Sequence, residues 1–132
     1  MATLRKEIVT QAQAPDVWAA IEDIGALHTR LVPGFVTATR LEPGARIVTF
    51  ANGMTVREPI VSIDPAAMRL VWTAESQLTS HYNAAVQVFP ASGGGSRVVW
   101  TVDLLPDDAG AKIEPMMAAG MRAMQKALDS LA

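Results

Sequence analysis

The chain contains no cysteine. That excludes disulfides, thiolate metal sites and a cysteine nucleophile, and leaves any chemistry to oxygen and nitrogen groups. Histidine is almost as scarce. His28 and His81 are the only two and stand far apart, without a spacing familiar from metal sites, so neither a metal nor another cofactor is expected. No apolar run approaches the ~18 residues of a membrane-spanning helix, and stable membrane insertion is not expected. Near the N-terminus, Arg5, Lys6 and Glu7 lead into an alternating segment rather than into the apolar core of a secretory signal, which points to the cytoplasm. An excess of positive charge is missing as well. Eleven Lys and Arg oppose thirteen Asp and Glu for a net charge of -2, and the basic residues are scattered, so nucleic acid is not expected as a partner. Ser92-Gly93-Gly94-Gly95 lacks the Lys-Ser/Thr of a phosphate loop, and no Gly-x-Ser-x-Gly nucleophile turn occurs.

What remains is apolar and well punctuated. With 50% hydrophobic and 18% charged residues, the chain can bury a core, and its length suits a single domain over residues 1–132. Thr3 to Ala12 alternates as a first strand. Ala14-Pro15-Asp16 then opens a helix: proline suits the first helical position and the aspartate suits the positive end of the dipole. Val17, Trp18, Ile21 and Ile24 form its apolar face, with Gly25 expected as a left-handed stop. Ala26 to Leu31 adds a possible helical turn before Pro33-Gly34.

Strands are expected at Phe35–Leu41, Arg46–Phe50, Met54–Ile63, Met68–Glu75, His81–Phe89 and Ser96–Leu104. Glu42-Pro43-Gly44 and Asn52-Gly53 mark hairpins, the latter as a type I′ turn. Beyond Pro106-Asp107-Asp108 the period becomes helical, and Ile113, Met117, Met121, Met124, Leu128 and Leu131 make one stripe. Pro115 either bends this helix or is its first residue. Six consecutive strands on tight turns followed by one helix define an α+β order with an antiparallel sheet.

Several segments carry a family resemblance: Ala14-Pro15-Asp16-Val17-Trp18, Val56-Arg57-Glu58-Pro59-Ile60-Val61-Ser62-Ile63-Asp64, Ser96-Arg97-Val98-Val99-Trp100-Thr101-Val102 and the terminal amphipathic helix. Over nearly the whole length the chain resembles the START-like or SRPBCC superfamily, in its polyketide cyclase/dehydrase and lipid-transport branch. The resemblance implies a helix-grip fold, a curved antiparallel sheet of about seven strands around a long C-terminal helix with one or two short helices after the first strand. It also implies a cavity between sheet and helix for a hydrophobic small molecule, whether lipid-like, isoprenoid or aromatic polyketide-like.

Alternation assigns the lining. Val98, Trp100 and Val102 share one strand face, as do Tyr82, Ala84, Val86 and Val88, with Leu70 and Trp72 joining them. Met117, Met121 and Met124 supply adaptable side chains from the helix. An ordinary filled core has the same pattern.

Among polar groups, Glu58 stands where the resemblance places an acidic residue toward the cavity of some members, and we take it to point inward. An exposed Glu–Arg edge strand blunted by Pro59 is the alternative. Tyr82 matches a position that lines the pocket in related folds and could orient a ligand carbonyl. His28 is placed at the pocket mouth, and His81 joins Glu58 and Tyr82 as a candidate acid–base group. Three functions fit: a carrier of a hydrophobic molecule, a polyketide cyclase, aromatase or dehydratase using those residues, and an interaction module docking through its Met-rich helix.

Overall fold

The computed structural model describes residues Met1–Ala132. Seven strands, β1 (Ala2–Thr10), β2 (Val36–Glu42), β3 (Ala45–Phe50), β4 (Thr55–Asp64), β5 (Arg69–Thr73), β6 (His81–Pro90) and β7 (Ser96–Leu105), form one antiparallel sheet. Their spatial order is β1-β7-β6-β5-β4-β3-β2. Helix α1 (Ala14–Glu22) follows β1, a 3₁₀ turn (Ile24–Ala26) and a π turn (Leu27–Leu31) lead to β2, and α2 (Gly110–Asp129) closes the chain. This is the α+β helix-grip arrangement.

The sheet bends because β4 changes partners along its length. Its first half pairs with β3 as far as Ala45–Pro59, and its second half pairs with β5 from Ile60–Trp72 onward, with a register shift between Ile60 and Ser62. Pro59 sits at the handover, where its missing N–H interrupts no continuous ladder, and the irregularity beside it bends the strand. β4 is thus an inner strand, and Pro59 marks a corner rather than an edge.

Several local expectations are corrected. Asn52-Gly53 does form the hairpin, but Gly53 N–H bonds to Phe50 O at 2.9 Å and only Gly53 takes positive φ. The connection is therefore a three-residue loop with glycine in the left-handed position, not type I′. Gly25 has no positive φ; it lies in the 3₁₀ turn, where a Cβ would stand 3.1 Å from the Leu41 side chain. The long helix begins five residues before Pro115, with that proline inside it, so Pro115 is not its first residue. Leu131 falls beyond the helix and is exposed, because the stripe ends at Leu128.

Trp18 and Ile21 of α1, Val98, Trp100 and Val102 of β7, and Met117, Met121 and Met124 of α2 belong to one buried cluster. Close approach of α2 depends on Gly120: a Cβ there would lie 3.1 Å from both Phe35 Cε2 and Trp100 Cζ3. Gly120→Val is expected to lower stability by about 1–3 kcal/mol through overpacking, although glycine is the poorer helix former. Urea unfolding checks this, and an unchanged or raised midpoint would mean that the helix does not depend on that contact.

Candidate functional site

The site begins with a cross-strand pair. Arg46 on β3 stands directly opposite Glu58 on β4, and Arg46 Nε–H donates to Glu58 Oε1 at 2.8 Å. Both are buried, at 2% and 6% exposure. The guanidinium carbon lies 5.2 Å from the centre of the Trp72 ring, so the charge is shared between a carboxylate and an aromatic face. Arg57 and Pro59, next to Glu58, point the other way, as strand alternation requires. Arg57 instead binds Glu42 at 2.5 Å and Glu75 at 2.9 Å on the outer face.

The pair looks into a cavity of about 90 Å³ between the bent sheet, α2 and the turns after α1. The sheet contributes Val56, Leu70, Trp72, Tyr82, Val86 and Trp100; α2 contributes Ile113, Met116, Met117 and Met124; Ile21, Leu27 and Leu31 close the third side. Trp72 and Trp100 lie 6.4 Å apart, tilted by 35°. Phe35 and Phe50 meet edge to face at 5.4 Å. With Met116 they also line a second hollow of about 290 Å³ bounded by Ala51, Asn52, Pro115 and Ala119, so these three side chains form a wall common to both spaces.

Polar groups in the cavity are few and incompletely bonded. The indole N–H of Trp72, that of Trp100 and the Thr79 hydroxyl are buried without partners, and all three residues line the cavity. Burial raises the pKa of Glu58, while Arg46 pulls against that rise. The Trp72 N–H lies near enough to favour the carboxylate without reaching hydrogen-bond geometry. Burial, and secondarily the charge of Glu58, pushes the Tyr82 hydroxyl well above its usual range. Tyr82 is therefore a hydrogen-bond donor at neutral pH and not a base.

Of the residues singled out from the sequence, the structure brings Glu58, Leu70, Trp72, Tyr82, Val86, Trp100, Met117 and Met124 around this one space. Ala84 and Met121 are buried but do not reach it, because their surroundings are filled core. His28 does not border it either; its Nδ1 lies 3.0 Å from Thr39 Oγ1 within the π turn and β2. His81 is exposed at the start of β6, one residue out of phase with Tyr82, and is removed as an acid–base candidate. Sequence reading missed Arg46, Thr79, Phe35, Phe50, Met54 and Met116. Arg46 had a signal only through the loop length: with a three-residue loop centred on Asn52 it and Glu58 stand six residues to either side and face each other, whereas a two-residue turn at Asn52-Gly53 sets Arg46 opposite Pro59.

Comparison with known proteins agrees with this architecture. Residues 1–132 match the family described as polyketide cyclase / dehydrase and lipid transport, and the chain belongs to it. A solution structure from Thermobifida fusca is 27% identical, with a TM-score of 0.80, covering 99% of this chain and 95% of that one. Truncated norcoclaurine synthase from Thalictrum flavum shares 18% identity at a TM-score of 0.75 over 98% and 92% of the chains. The di-domain ARO/CYC BexL of the BE-7585A biosynthetic pathway shares 19% at 0.77, over 98% of this chain and 46% of that one. No curated protein matches the sequence.

Two outcomes follow from the buried pair. Arg46→Met is expected to cost about 3–5 kcal/mol by stranding the carboxyl, whereas Arg46→Met/Glu58→Leu recovers most of that loss; a double variant as unstable as the single would show that the pair stabilises beyond its own desolvation. The second concerns pH. A folded-state pKa above the ordinary 4.5 means that Glu58 contributes most below the unfolded carboxyl range and loses that contribution as pH rises through the folded value. Wild-type stability should accordingly fall relative to Glu58→Gln as pH rises from about 4 to neutrality, measured by urea unfolding at each pH. The opposite slope would mean that Arg46 outweighs desolvation.

Proposed function

We propose that this chain is a binding protein for a hydrophobic small molecule, held between the sheet and α2. One observation carries the reading: 20 of the 24 residues lining the cavity are hydrophobic, around a small polar group at one side. Such a space, apolar with a few convergent polar groups, is the usual form of a ligand site. The belonging of the chain to a cyclase/dehydrase and lipid-transport family supports it.

The cavity is small for its purpose. A dry cavity of roughly 150 Å³ admits benzene, so about 90 Å³ must grow to hold even one ring. Met54, Met116, Met117 and Met124 line it, and unbranched thioether chains rearrange more readily than branched ones. The common wall of Phe35, Phe50 and Met116 is the access route in this reading, since moving it joins the two hollows. A single binding unit over residues 1–132 acting in the cytoplasm belongs to the same proposal.

A second reading is favoured by the polar group itself. Glu58, Arg46 and Tyr82 on one apolar cavity could move a proton and stabilise an enolate, as a cyclase, aromatase or dehydratase requires. Norcoclaurine synthase and BexL are named as enzymes of this fold, which supports the possibility and assigns no substrate.

Native mass spectrometry of the purified protein, followed by organic extraction, tests the first reading. The expected result is one apolar molecule per chain, either co-purified or taken up from a panel of lipids and aromatic compounds. An empty protein that binds none of the panel contradicts it. Turnover of a bound compound that is lost in Glu58→Gln would favour the enzyme.

A further inference from the structure

The hydrogen-bonding groups of the cavity are unbalanced. Arg46 uses its Nε–H on Glu58, which leaves its Nη–H groups as further donors on a residue that is 2% exposed and lines the cavity. Trp72 and Trp100 each add an unpartnered N–H, and Thr79 adds a hydroxyl. Tyr82, half-buried on the cavity wall, holds its proton and adds a further donor. Against these donors the cavity offers the carboxyl of Glu58, whose Oε1 already accepts from Arg46, and the hydroxyl of Ser76, which already accepts from Leu78 N–H. An unmade hydrogen bond in a buried site is unfavourable, so a complementary ligand brings acceptors and no donors.

Resting on the binding function proposed above, we propose that the ligand is a compact apolar carboxylate, its head group accepting from the Arg46 Nη–H groups and the neighbouring Tyr82 and indole donors. A planar carboxylate matches the guanidinium fork, whereas an alcohol, amine or amide brings donors into a site already rich in them. The apolar remainder lies among the methionines, and because about 90 Å³ must already widen to take one ring, a compact remainder asks for the least rearrangement.

Charge then couples the ligand to Glu58. One guanidinium cannot balance two buried carboxylates, so carboxylate binding draws one proton from solvent onto Glu58, which leaves Arg46 paired with the ligand. The groups around Glu58 limit the alternatives. Arg46 from β3 and Tyr82 from β6 are the other titratable groups on the cavity, while α2, β5, β7 and the turns after α1 contribute none. Burial already biases Glu58 toward its neutral form.

Calorimetry on the wild-type protein with 3-phenylpropanoate, 3-phenylpropanol and 3-phenylpropanamide tests this. The acid is expected to bind on the order of tenfold or more tightly than either neutral analogue, as loss of a charge-assisted hydrogen bond predicts. Its binding should take up protons across buffers of different ionisation enthalpy, the uptake growing toward one per ligand as pH rises and free Glu58 becomes ionised, and its affinity should fall as pH rises. Glu58→Gln should bind the acid at least as tightly with no proton uptake, and Tyr82→Phe should weaken it severalfold. Equal affinity for acid and neutral analogues overturns the carboxylate and leaves the binding function standing. Proton uptake that persists in Glu58→Gln places the proton on the ligand and overturns the coupling to Glu58. Failure of all three compounds, and of longer apolar acids and alcohols, overturns the binding function itself.

Discussion

A guanidinium and a carboxylate buried together in an otherwise apolar interior constrain the rest of this protein. Removing two charges from water is costly, and attraction between them compensates only when the geometry is good and the remaining hydrogen-bonding positions are filled. Here Nε fills one position at 2.8 Å, the Trp72 face fills part of another, and the Nη donors are left over. The pair also fixes pairing. A one-residue slip of β3 against β4 would turn one charge outward and leave the other alone, so the Arg46–Glu58 contact and the glycine-containing loop specify the same register.

The bend in the sheet gives that pair a cavity to face. Because β4 leaves β3 and joins β5 at Pro59–Ile60, the β2–β3 hairpin turns away from the plane of β5, β6 and β7. Helix α2 packs chiefly along β1 at the opposite edge and comes close to Trp100 at Gly120. The space between its methionine face and the bent hairpin is then only partly filled by side chains. Fold and site thus share a cause: the strand irregularity that closes the grip also leaves room within it.

Most of the fold was legible because each element carries its own period. Strand alternation was clear in β6 and β7, where Val86, Val88, Val98, Trp100 and Val102 all lie in the core cluster. The stripe of α2 from Ile113 to Leu128 was equally plain. Details set by tertiary contact were not legible. Gly25 avoids the left-handed region because α1 ends earlier, at Glu22, and Leu41 packs against the following turn, and Pro115 lies inside a helix that starts at Gly110, directly after a 3₁₀ turn at Asp107–Ala109. At the site, alternation gave the apolar lining but could not distinguish Ala84 and Met121, which face filled core, from Val86 and Met124, which face the cavity. The partner of Glu58 was hidden for another reason: the pairing depends on loop length, since a two-residue turn at Asn52-Gly53 sets Arg46 opposite Pro59 and only the three-residue loop sets it opposite Glu58.

The central claim is that the space between sheet and helix serves as an adaptable ligand site. Methionine-methyl NMR tests this, because seven methionines divide into Met54, Met116, Met117 and Met124 on the cavity and Met1, Met68 and Met121 away from it. Titration with an apolar carboxylate is predicted to move the first four resonances with a common saturation curve and leave the other three near their starting positions. Shifts confined to Met1, Met68 or Met121, or no shifts at saturating ligand, would contradict it.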